Sequence, residues 1–207
     1  MAKRLFDLVF SIAGLVVLSP VLVVAAALVR CSSPGPILFC QERIGRGFRP
    51  FTIYKFRTMV AEAPKLGAAI TCGDDPRITR IGRLLRATKI DELPQLFNVL
   101  RGDMSFVGPR PEVRRYVDMF PEDYKEILAV RPGITDLASI VYRNEAAILG
   151  RAVDPHEEYV RHILPHKIRL AKEYRCRSSV FFDIGLIVQT LVAVVRPDPL
   201  PDTRGVT

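Results

Sequence analysis

The sequence predicts an α+β fold, mostly helical, in which a membrane-embedded N-terminal helix and amphipathic interfacial helices frame a small β-hairpin. Three observations predict it. An almost unbroken apolar run, Leu5 to Val29, opens the chain. Only two short stretches, 37–40 and 51–56, read as paired strands. Most of the remainder repeats its apolar residues at helical spacing with basic residues opposite. Composition agrees: hydrophobic residues make up 49% of 207, yet 25% are charged and the mean hydropathy is +0.18. The apolar content must therefore be segregated, which points to a membrane. A net charge of +8 and a pI near 9.6 call for anionic partners: nucleic acid, anionic lipid or phosphorylated substrates. Cys31, Cys40, Cys72 and Cys176 have no C-x-x-C spacing, which fits a reducing compartment better than a zinc site or a disulfide framework. His156, His162 and His166 have no nearby cysteine to complete a metal pattern and read as helix-surface residues.

Lys3 and Arg4 precede the apolar run and Arg30 closes it. Its 25 residues make a helix of roughly 37 Å, against a hydrocarbon core of about 30 Å. A cleaved signal peptide has a shorter apolar core, about 7–15 residues. Ser19-Pro20 interrupts the run, where proline removes a backbone hydrogen bond and kinks a helix. The Ser19 hydroxyl is placed to bond a carbonyl that Pro20 frees. Basic residues at both ends pull both toward the cytoplasm. A helix broken at Ser19-Pro20 that enters and leaves by one face satisfies both observations; from these residues alone a spanning helix stands as its equal. Asp7 is expected to pair with Lys3 or Arg4 at the interface.

Ser32-Ser33-Pro34-Gly35-Pro36 marks a domain boundary. The hairpin of Ile37 to Cys40 and Phe51 to Phe56 is made cationic by Arg43, Arg46, Arg49, Lys55 and Arg57. A helix fragment and then a mobile loop are expected over 61–73. From Asp74-Asp75-Pro76 an amphipathic helix carries Arg77, Arg80, Arg83, Arg86 and Lys89 at three-residue spacing, opposite Ile78, Ile81, Leu84 and Leu85. Arg86 and Lys89 approach the next motif, whereas Arg77 is expected to be solvated or on lipid phosphates. Pro121 to Val130 reads as helix. The stretch that follows Thr135, as far as Tyr142, reads as strand-like, and Pro155 to Tyr174 as a helix that bends or splits at Pro165. Ser178-Ser179 caps a last apolar segment, Val180 to Val195, short for spanning and suited to lying in the interface. The Pro-rich tail reads as extended or disordered.

The stretch from Thr88 to Glu112 carries the chemistry. Asp91 and Glu92 open the apolar pattern Leu93, Leu96, Phe97, Val99, Leu100, with Asp91 as N-cap, Pro94 in the first turn and Gly102 as the stop. Arg86, Lys89, Arg101 and Arg110 flank it, an arrangement that holds a phosphate beside a nucleophilic carboxylate. The plainer alternative is a capped core helix with solvated charges. Gly108-Pro109-Arg110-Pro111 and Arg131-Pro132-Gly133-Ile134-Thr135 are rigid turns that each present an arginine, whose fork binds phosphate oxygens. An aspartate can attack phosphorus and form an acyl phosphate, and phosphoryl transfer otherwise needs positioning and charge neutralisation, usually with magnesium. Neither G-x-x-x-x-G-K-[ST] nor G-x-G-x-x-G is present.

Read together, Lys3-Arg4-x-x-Asp7 before a Ser-Pro-broken helix, Gln41-Glu42-Arg43-Ile44-Gly45, Tyr54-Lys55-Phe56-Arg57-Thr58-Met59, Ile90 to Leu100, Gly102-Asp103-Met104-Ser105 and the two proline-framed arginine turns resemble one family. It is the bacterial sugar transferases, or monotopic phosphoglycosyl transferases, and the resemblance runs in order to about Val195. The length resembles the family's minimal catalytic form. The resemblance implies transfer of a sugar phosphate from a UDP-sugar donor to polyprenol (undecaprenyl) phosphate, with release of UMP. It makes Asp91 the nucleophile and a magnesium ligand, and Glu92 its dyad partner. Arg86, Arg110 and Arg143 match phosphate-contacting arginines, and the Arg131-Pro132-Gly133 turn matches a loop beside the nucleotide. Lys55 and Arg57 join the substrate-binding set. Asp136 departs from the glycine usual after this turn, and Leu137-Ala138-Ser139 departs from the common aromatic or glutamine.

The implied organisation is a re-entrant membrane helix (1–33), a cytoplasmic catalytic domain (34–177), an interfacial amphipathic helix (178–196) and a flexible tail (197–207). The implied setting is the bacterial inner membrane, monotopic, at the first membrane step of exopolysaccharide, O-antigen or glycoprotein assembly. Membrane lipid is a partner, nucleic acid is not, and a homodimer is allowed. The rival is a membrane-anchored basic protein that binds anionic lipid or nucleic acid without catalysis, which explains the charge but not the Pro-Arg turns or the carboxylate pair.

Overall fold

Pro20 decides the shape of the N-terminal run. The computed structural model, which describes residues 2–63, 66, 70–73 and 75–195, divides the run into α1 (Ala2–Val17) and α2 (Ser19–Ser32), bent by 62°. Pro20 has no N–H for the Val16 carbonyl, and the Ser19 hydroxyl donates to that oxygen instead at 2.8 Å. Among the described residues no single helix is long and apolar enough to cross a membrane; the bent pair is, by length and composition together. Both halves turn large apolar side chains outward, Leu5, Phe10, Val17, Val23 and Val24 among them. Contiguous apolar surface of this kind marks an interaction face rather than a water-exposed one.

The hairpin pairs β1 (Leu38–Ile44) with β2 (Pro50–Phe56), antiparallel, Cys40 opposite Tyr54. It runs several residues longer in its first strand than the sequence pattern suggests. Thr79 caps α3 (Arg80–Ala87) by accepting from the Gly82 N–H, so this helix starts later than the expected Asp74-Asp75-Pro76. Before it, the Asp75 carboxylate clasps the Arg77 guanidinium at 2.6 Å, and Arg77 is therefore not simply solvated. A 3₁₀ turn, Ile90–Gln95, leads into α4 (Leu96–Arg101), which Gly102 closes in the left-handed conformation. Asn98 is fully buried and bonds α4 to the hairpin: its Oδ1 accepts from the Tyr54 N–H at 3.1 Å and its Nδ2 donates to the Thr52 carbonyl at 2.7 Å.

Two three-residue strands, β3 (Ser105–Val107) and β4 (Gly133–Thr135), pair in parallel. Between them lie α5 (Arg114–Val117) and α6 (Pro121–Ile127). The expected strand to Tyr142 is instead α7 (Leu137–Val141), because the Asp136 carboxylate caps it by accepting from the Ser139 N–H at 3.0 Å. Then follow α8 (Glu145–Leu149), α9 (Pro155–Glu158), a π-helical turn over Tyr159–Ile163, α10 (Leu164–Arg177) and α11 (Val180–Val195). The long helix thus splits beside Pro165, as its sequence implies. The main core joins Tyr116, Val117, Tyr124, Ile127, Leu149, Ile163, Leu164 and Ile168 from α5, α6, α8, the π-helical turn and α10. The expected tail, 197–207, and part of the expected loop before Gly73 lie outside the described residues.

What α1 buries is mostly polar. Asp7 is buried and accepts from the Ser105 hydroxyl (3.0 Å) and the Phe106 N–H (3.1 Å). Arg4 donates to the carbonyls of Val99 (2.6 Å) and Leu100 (2.9 Å), the exposed carbonyl end of α4. Lys3 donates to the Val107 carbonyl (2.9 Å) and the Tyr174 hydroxyl (3.0 Å) and pairs with Asp183 of α11. The expected pairing of Asp7 with Lys3 or Arg4 does not form. A carboxylate buried this deeply needs donors at its own depth, and β3 supplies two of them, whereas the cations reach past it to α4 and α11. At the other end, α2 packs Ala25 and Val29 against Phe56 and Leu85, and the Arg57 guanidinium donates to the Ser33 (2.7 Å) and Pro34 (2.6 Å) carbonyls.

Candidate active site

The carboxylate pair owes its position to a backbone reversal. Lys89 takes a left-handed conformation (φ 57°), which ends the helical run from α3 and starts the 3₁₀ turn that carries Asp91 and Glu92. Asp91 is thus inside the first turn and is not the N-cap: that position is Lys89, which makes no side-chain cap bond. The sequence pattern places the cap two residues too late because it cannot register the Lys89 reversal. The consequence is chemical, since the Asp91 carboxylate is left unengaged by the helix end. Asp91 and Glu92 are each 8% exposed, and Asp91 Oδ1 is buried without a hydrogen-bond partner.

Glu92 is the opposite case. Its Oε1 accepts from Lys55 Nζ at 2.8 Å and from Arg110 at 2.7 Å, so one oxygen joins β2 to the turn after β3. Burial alone would raise the Glu92 carboxyl, but the Arg110 and Lys55 cations hold it well below the usual carboxylate range. Burial pushes the Lys55 ammonium below its ordinary value, an effect Glu92 only partly offsets. The Asp91 carboxyl is pushed up, first by burial and then by the Glu92 charge, with Lys55, Lys89 and Arg86 opposing. Two adjacent carboxylates therefore differ: Glu92 is a fixed anion that organises two cations, and Asp91 is a buried, unpartnered oxygen donor.

The remaining residues of the predicted set divide. Arg86 donates through Nε to the Thr58 hydroxyl at 2.9 Å while its charge acts on Asp91. Arg110 also reaches the Ser139 hydroxyl at 3.5 Å and feels the charge of Asp136, so the capping aspartate stands on the same side as the arginine. Arg57 is buried at the α2 junction on the Ser33 and Pro34 carbonyls, an occupation within the fold rather than toward the dyad. Arg131 donates to the Gly102 carbonyl at 2.8 Å, Pro132 accepts through its carbonyl from the Ser105 N–H at 2.8 Å, and Gly133 N–H donates to the Pro109 carbonyl at 3.0 Å. A Cβ at Gly133 would collide with the Gly108 backbone, so the two proline turns are locked together by glycine against glycine. This turn supports Arg110 from behind. Arg143 lies half-buried between α7 and α8.

Sequence reasoning misses Asn98, whose signal was available: an amide set among Leu96, Phe97, Val99 and Leu100. It also misses Glu112, which the Tyr159 hydroxyl (2.8 Å) and Arg43 (3.5 Å) hold beneath the Pro-Arg-Pro turn. His166 bonds its Nδ1 to the Tyr142 hydroxyl at 2.7 Å. No group of three or more His, Cys, Asp or Glu side chains gathers to hold a metal among the described residues. One free carboxylate oxygen on Asp91 does fit a magnesium ion that shares substrate phosphates, because such ions keep only one or two protein carboxylates.

Comparison with known proteins meets this geometry from outside. The chain is 36% identical to a UDP-N-acetylgalactosamine-undecaprenyl-phosphate N-acetylgalactosaminephosphotransferase of Aeromonas hydrophila, over 93% of this chain and 43% of that protein. It is 42% identical to an undecaprenyl-phosphate glucose phosphotransferase of Komagataeibacter xylinus, over 91% of this chain and 35% of that protein. It is 45% identical to a UDP-glucose:undecaprenyl-phosphate glucose-1-phosphate transferase of Caulobacter vibrioides, over 95% of this chain and 70% of that protein. The chain thus spans less than half the length of the first two. The family model of the bacterial sugar transferases matches residues 1–197, which includes the docked N-terminal helix, both proline turns and the dyad, and the chain belongs to that family.

Proposed function

We propose that this chain moves a sugar 1-phosphate from a UDP-sugar to polyprenol phosphate through a covalent Asp91 intermediate. The observation that carries the proposal is the asymmetry of the dyad: Glu92 is neutralised by Lys55 and Arg110, while Asp91 Oδ1 is buried and unpartnered. An Asp91 oxygen attacks the sugar-bearing phosphorus, and the bond from that phosphorus to the UMP oxygen breaks. UMP leaves with the bond's electron pair, and a sugar phosphate remains as an acyl phosphate on Asp91. An oxygen of polyprenol phosphate then attacks the same phosphorus, the bond to Asp91 breaks, and the carboxylate is restored. Arg110, Lys55 and Arg86 neutralise charge on the oxygens in flight, and Glu92 holds the first two in place. Magnesium, held by Asp91 and the diphosphate, would supply further Lewis-acid charge.

The acceptor is a lipid, and the placement of the site supports access to it. Both ends of the bent pair are bonded to one body: Lys3, Arg4 and Asp7 at the start, and Arg57 on Ser33 and Pro34 at the end. With outward apolar faces between, this supports a re-entrant helix that dips into the cytoplasmic leaflet of the inner membrane and returns. The outward stripe of α11, with Phe181, Ile184, Val188 and Leu191 exposed, supports an interfacial position for that helix. The names of the relatives favour UDP-glucose and UDP-N-acetylgalactosamine as the first donors to try.

Asp91→Asn removes the nucleophile and the anionic oxygen that would hold magnesium, while keeping the side chain's shape. Turnover is expected to fall by on the order of 10⁴-fold or more. With UDP-sugar alone, the wild type is expected to release one UMP per enzyme and gain the mass of one sugar phosphate, whereas the variant does neither. Retained adduct in Asp91→Asn would refute the covalent route.

A further inference from the structure

Arg110 sits in a turn that packing alone does not fix. Beneath it lies a small cavity lined by Pro109, Arg110, Glu112, Tyr124, Asp136 and Lys167. Side chains that border a void lack contacts on that side, so bonds must set the turn. Pro111 leaves few free dihedrals between Arg110 and Glu112, and whatever holds residues 111 and 112 therefore holds Arg110. Two elements do so. From β1, Arg43 Nη1 donates to the Pro111 carbonyl at 3.2 Å and reaches the Glu112 carboxylate at 3.5 Å, while its Nη2 donates to Gln41 at 2.8 Å. The Ile44 N–H donates to the Glu112 carbonyl at 2.9 Å. The second element is the π-helical turn, a rare form that recurs at functional sites. It opens with Tyr159, whose hydroxyl donates to Glu112 Oε1 at 2.8 Å. The Tyr116 ring and the Lys167 ammonium each stand 4.9 Å from the Tyr159 ring centre, which aims that hydroxyl. Glu112 is buried, and a buried ion pair adds little net stability once desolvation is counted; what it provides is one geometry.

We propose that Glu112 is a positioning residue for Arg110, with Arg43 and Tyr159 as its clamps, so that the guanidinium meets the phosphoryl group in one register. Glu112 itself touches no substrate. The proposal rests on the transfer reaction proposed above, though not on its covalent step. Glu92 holds the Arg110 guanidinium, and the glycine-locked turns hold its backbone on the N-terminal side. Glu112 supplies the constraint on the C-terminal side. A misplacement of about 1 Å at a charge-neutralising group costs up to about 10²-fold in rate, even when the substitution lies away from the chemistry.

The test uses the full chain in detergent with polyprenol phosphate, magnesium and a panel of UDP-sugars. It reads kcat from UMP release on the sugar that the wild type uses, with melting temperatures recorded alongside. Tyr159→Phe keeps the ring and removes the hydroxyl that holds Glu112; Glu112→Gln keeps the shape and removes the charge that holds Arg43. Each is expected to lower kcat by about 10–100-fold. Each is then combined with Arg110→Ala and, separately, with Arg86→Ala, since Arg86 bonds Thr58 rather than the turn. In the Arg110→Ala background neither substitution should cost more than about a further twofold, whereas beside Arg86→Ala the full loss should recur. A loss of equal size in both backgrounds would mark a general loosening of the fold and overturn the proposal. A wild-type kcat in Tyr159→Phe would overturn it as well, and so would failure of both variants to fold, which would make Glu112 a structural acid. A wild type that releases no UMP from any sugar of the panel would instead remove the transfer reading, and this role with it.

Discussion

Glu92 and Asp91 share a turn and a chemistry class, yet their neighbours assign them different work. Removing Glu92 leaves Lys55 and Arg110 in a partly buried site without their common anion, and breaking such a cluster costs on the order of 3 kcal/mol. Glu92→Gln is therefore expected to lower the melting temperature by roughly 6–12 °C for a chain of this size. Its effect on chemistry should differ in kind from that of Asp91→Asn. On the covalent route proposed above the nucleophile remains, so the sugar-phosphate adduct is expected to form still, only slower by roughly 10–100-fold as the two cations lose their register. Differential scanning calorimetry and single-turnover mass spectrometry read the two effects separately. An Asp91→Asn variant that forms adduct beside a Glu92→Gln variant that does not would exchange the two roles.

Elements here are set by single polar side chains more than by apolar periodicity, which explains what was legible in the sequence. The apolar run, its break at Ser19-Pro20, the hairpin and the split at Pro165 follow from local rules, and the structure has them. The strand-like stretch from Asp136 to Tyr142 becomes helix because the Asp136 carboxylate caps it, and a cap residue looks the same as any loop aspartate until its acceptor role is visible. The parallel β3–β4 pair was illegible for another reason. Three residues leave no periodicity, and the pairing depends on Gly108 and Gly133 meeting across 25 positions of chain. The dyad and Arg110 stand out by residue type and spacing, but the left-handed Lys89 that frees Asp91 from capping does not. Asp7 is the sharpest case: one carboxylate docks α1 by two long-range bonds, to the Ser105 hydroxyl and the Phe106 N–H. Asp7→Leu leaves both donors buried and unmade, at about 2–5 kcal/mol, whereas Asp7→Asn keeps an acceptor oxygen and should lose only about 1 kcal/mol. Thermal melting and limited proteolysis after residue 32 would order the three proteins; equal stability of the Leu and Asn variants would show that the docking rests elsewhere.

For the molecule as a whole, the re-entrant topology proposed above raises the question of why a helix pair long enough to cross a bilayer would turn back. Proline is the obvious cause, but the bonds at the two ends make a stronger one. Lys3, Arg4 and Asp7 hold the start of α1 to β3, α4 and α11, and Arg57 holds the chain leaving α2 to the hairpin. A crossing helix would have to part these contacts, whatever happens at Pro20. Straightening alone is therefore expected to leave topology unchanged. With Cys31, Cys40, Cys72 and Cys176 replaced by serine and Ala2→Cys added as a reporter, a membrane-impermeant maleimide should label the protein only after the cells are lysed. The same should hold in Pro20→Ala. Combining Pro20→Ala with Arg4→Ala and Asp7→Leu removes both the bend and the docking, and a fraction of the chains should then label in intact cells. Labelling of intact cells in the otherwise unaltered protein would rule out the re-entrant helix. Labelling in Pro20→Ala alone would place the topological decision at the proline rather than at the docked N-terminus.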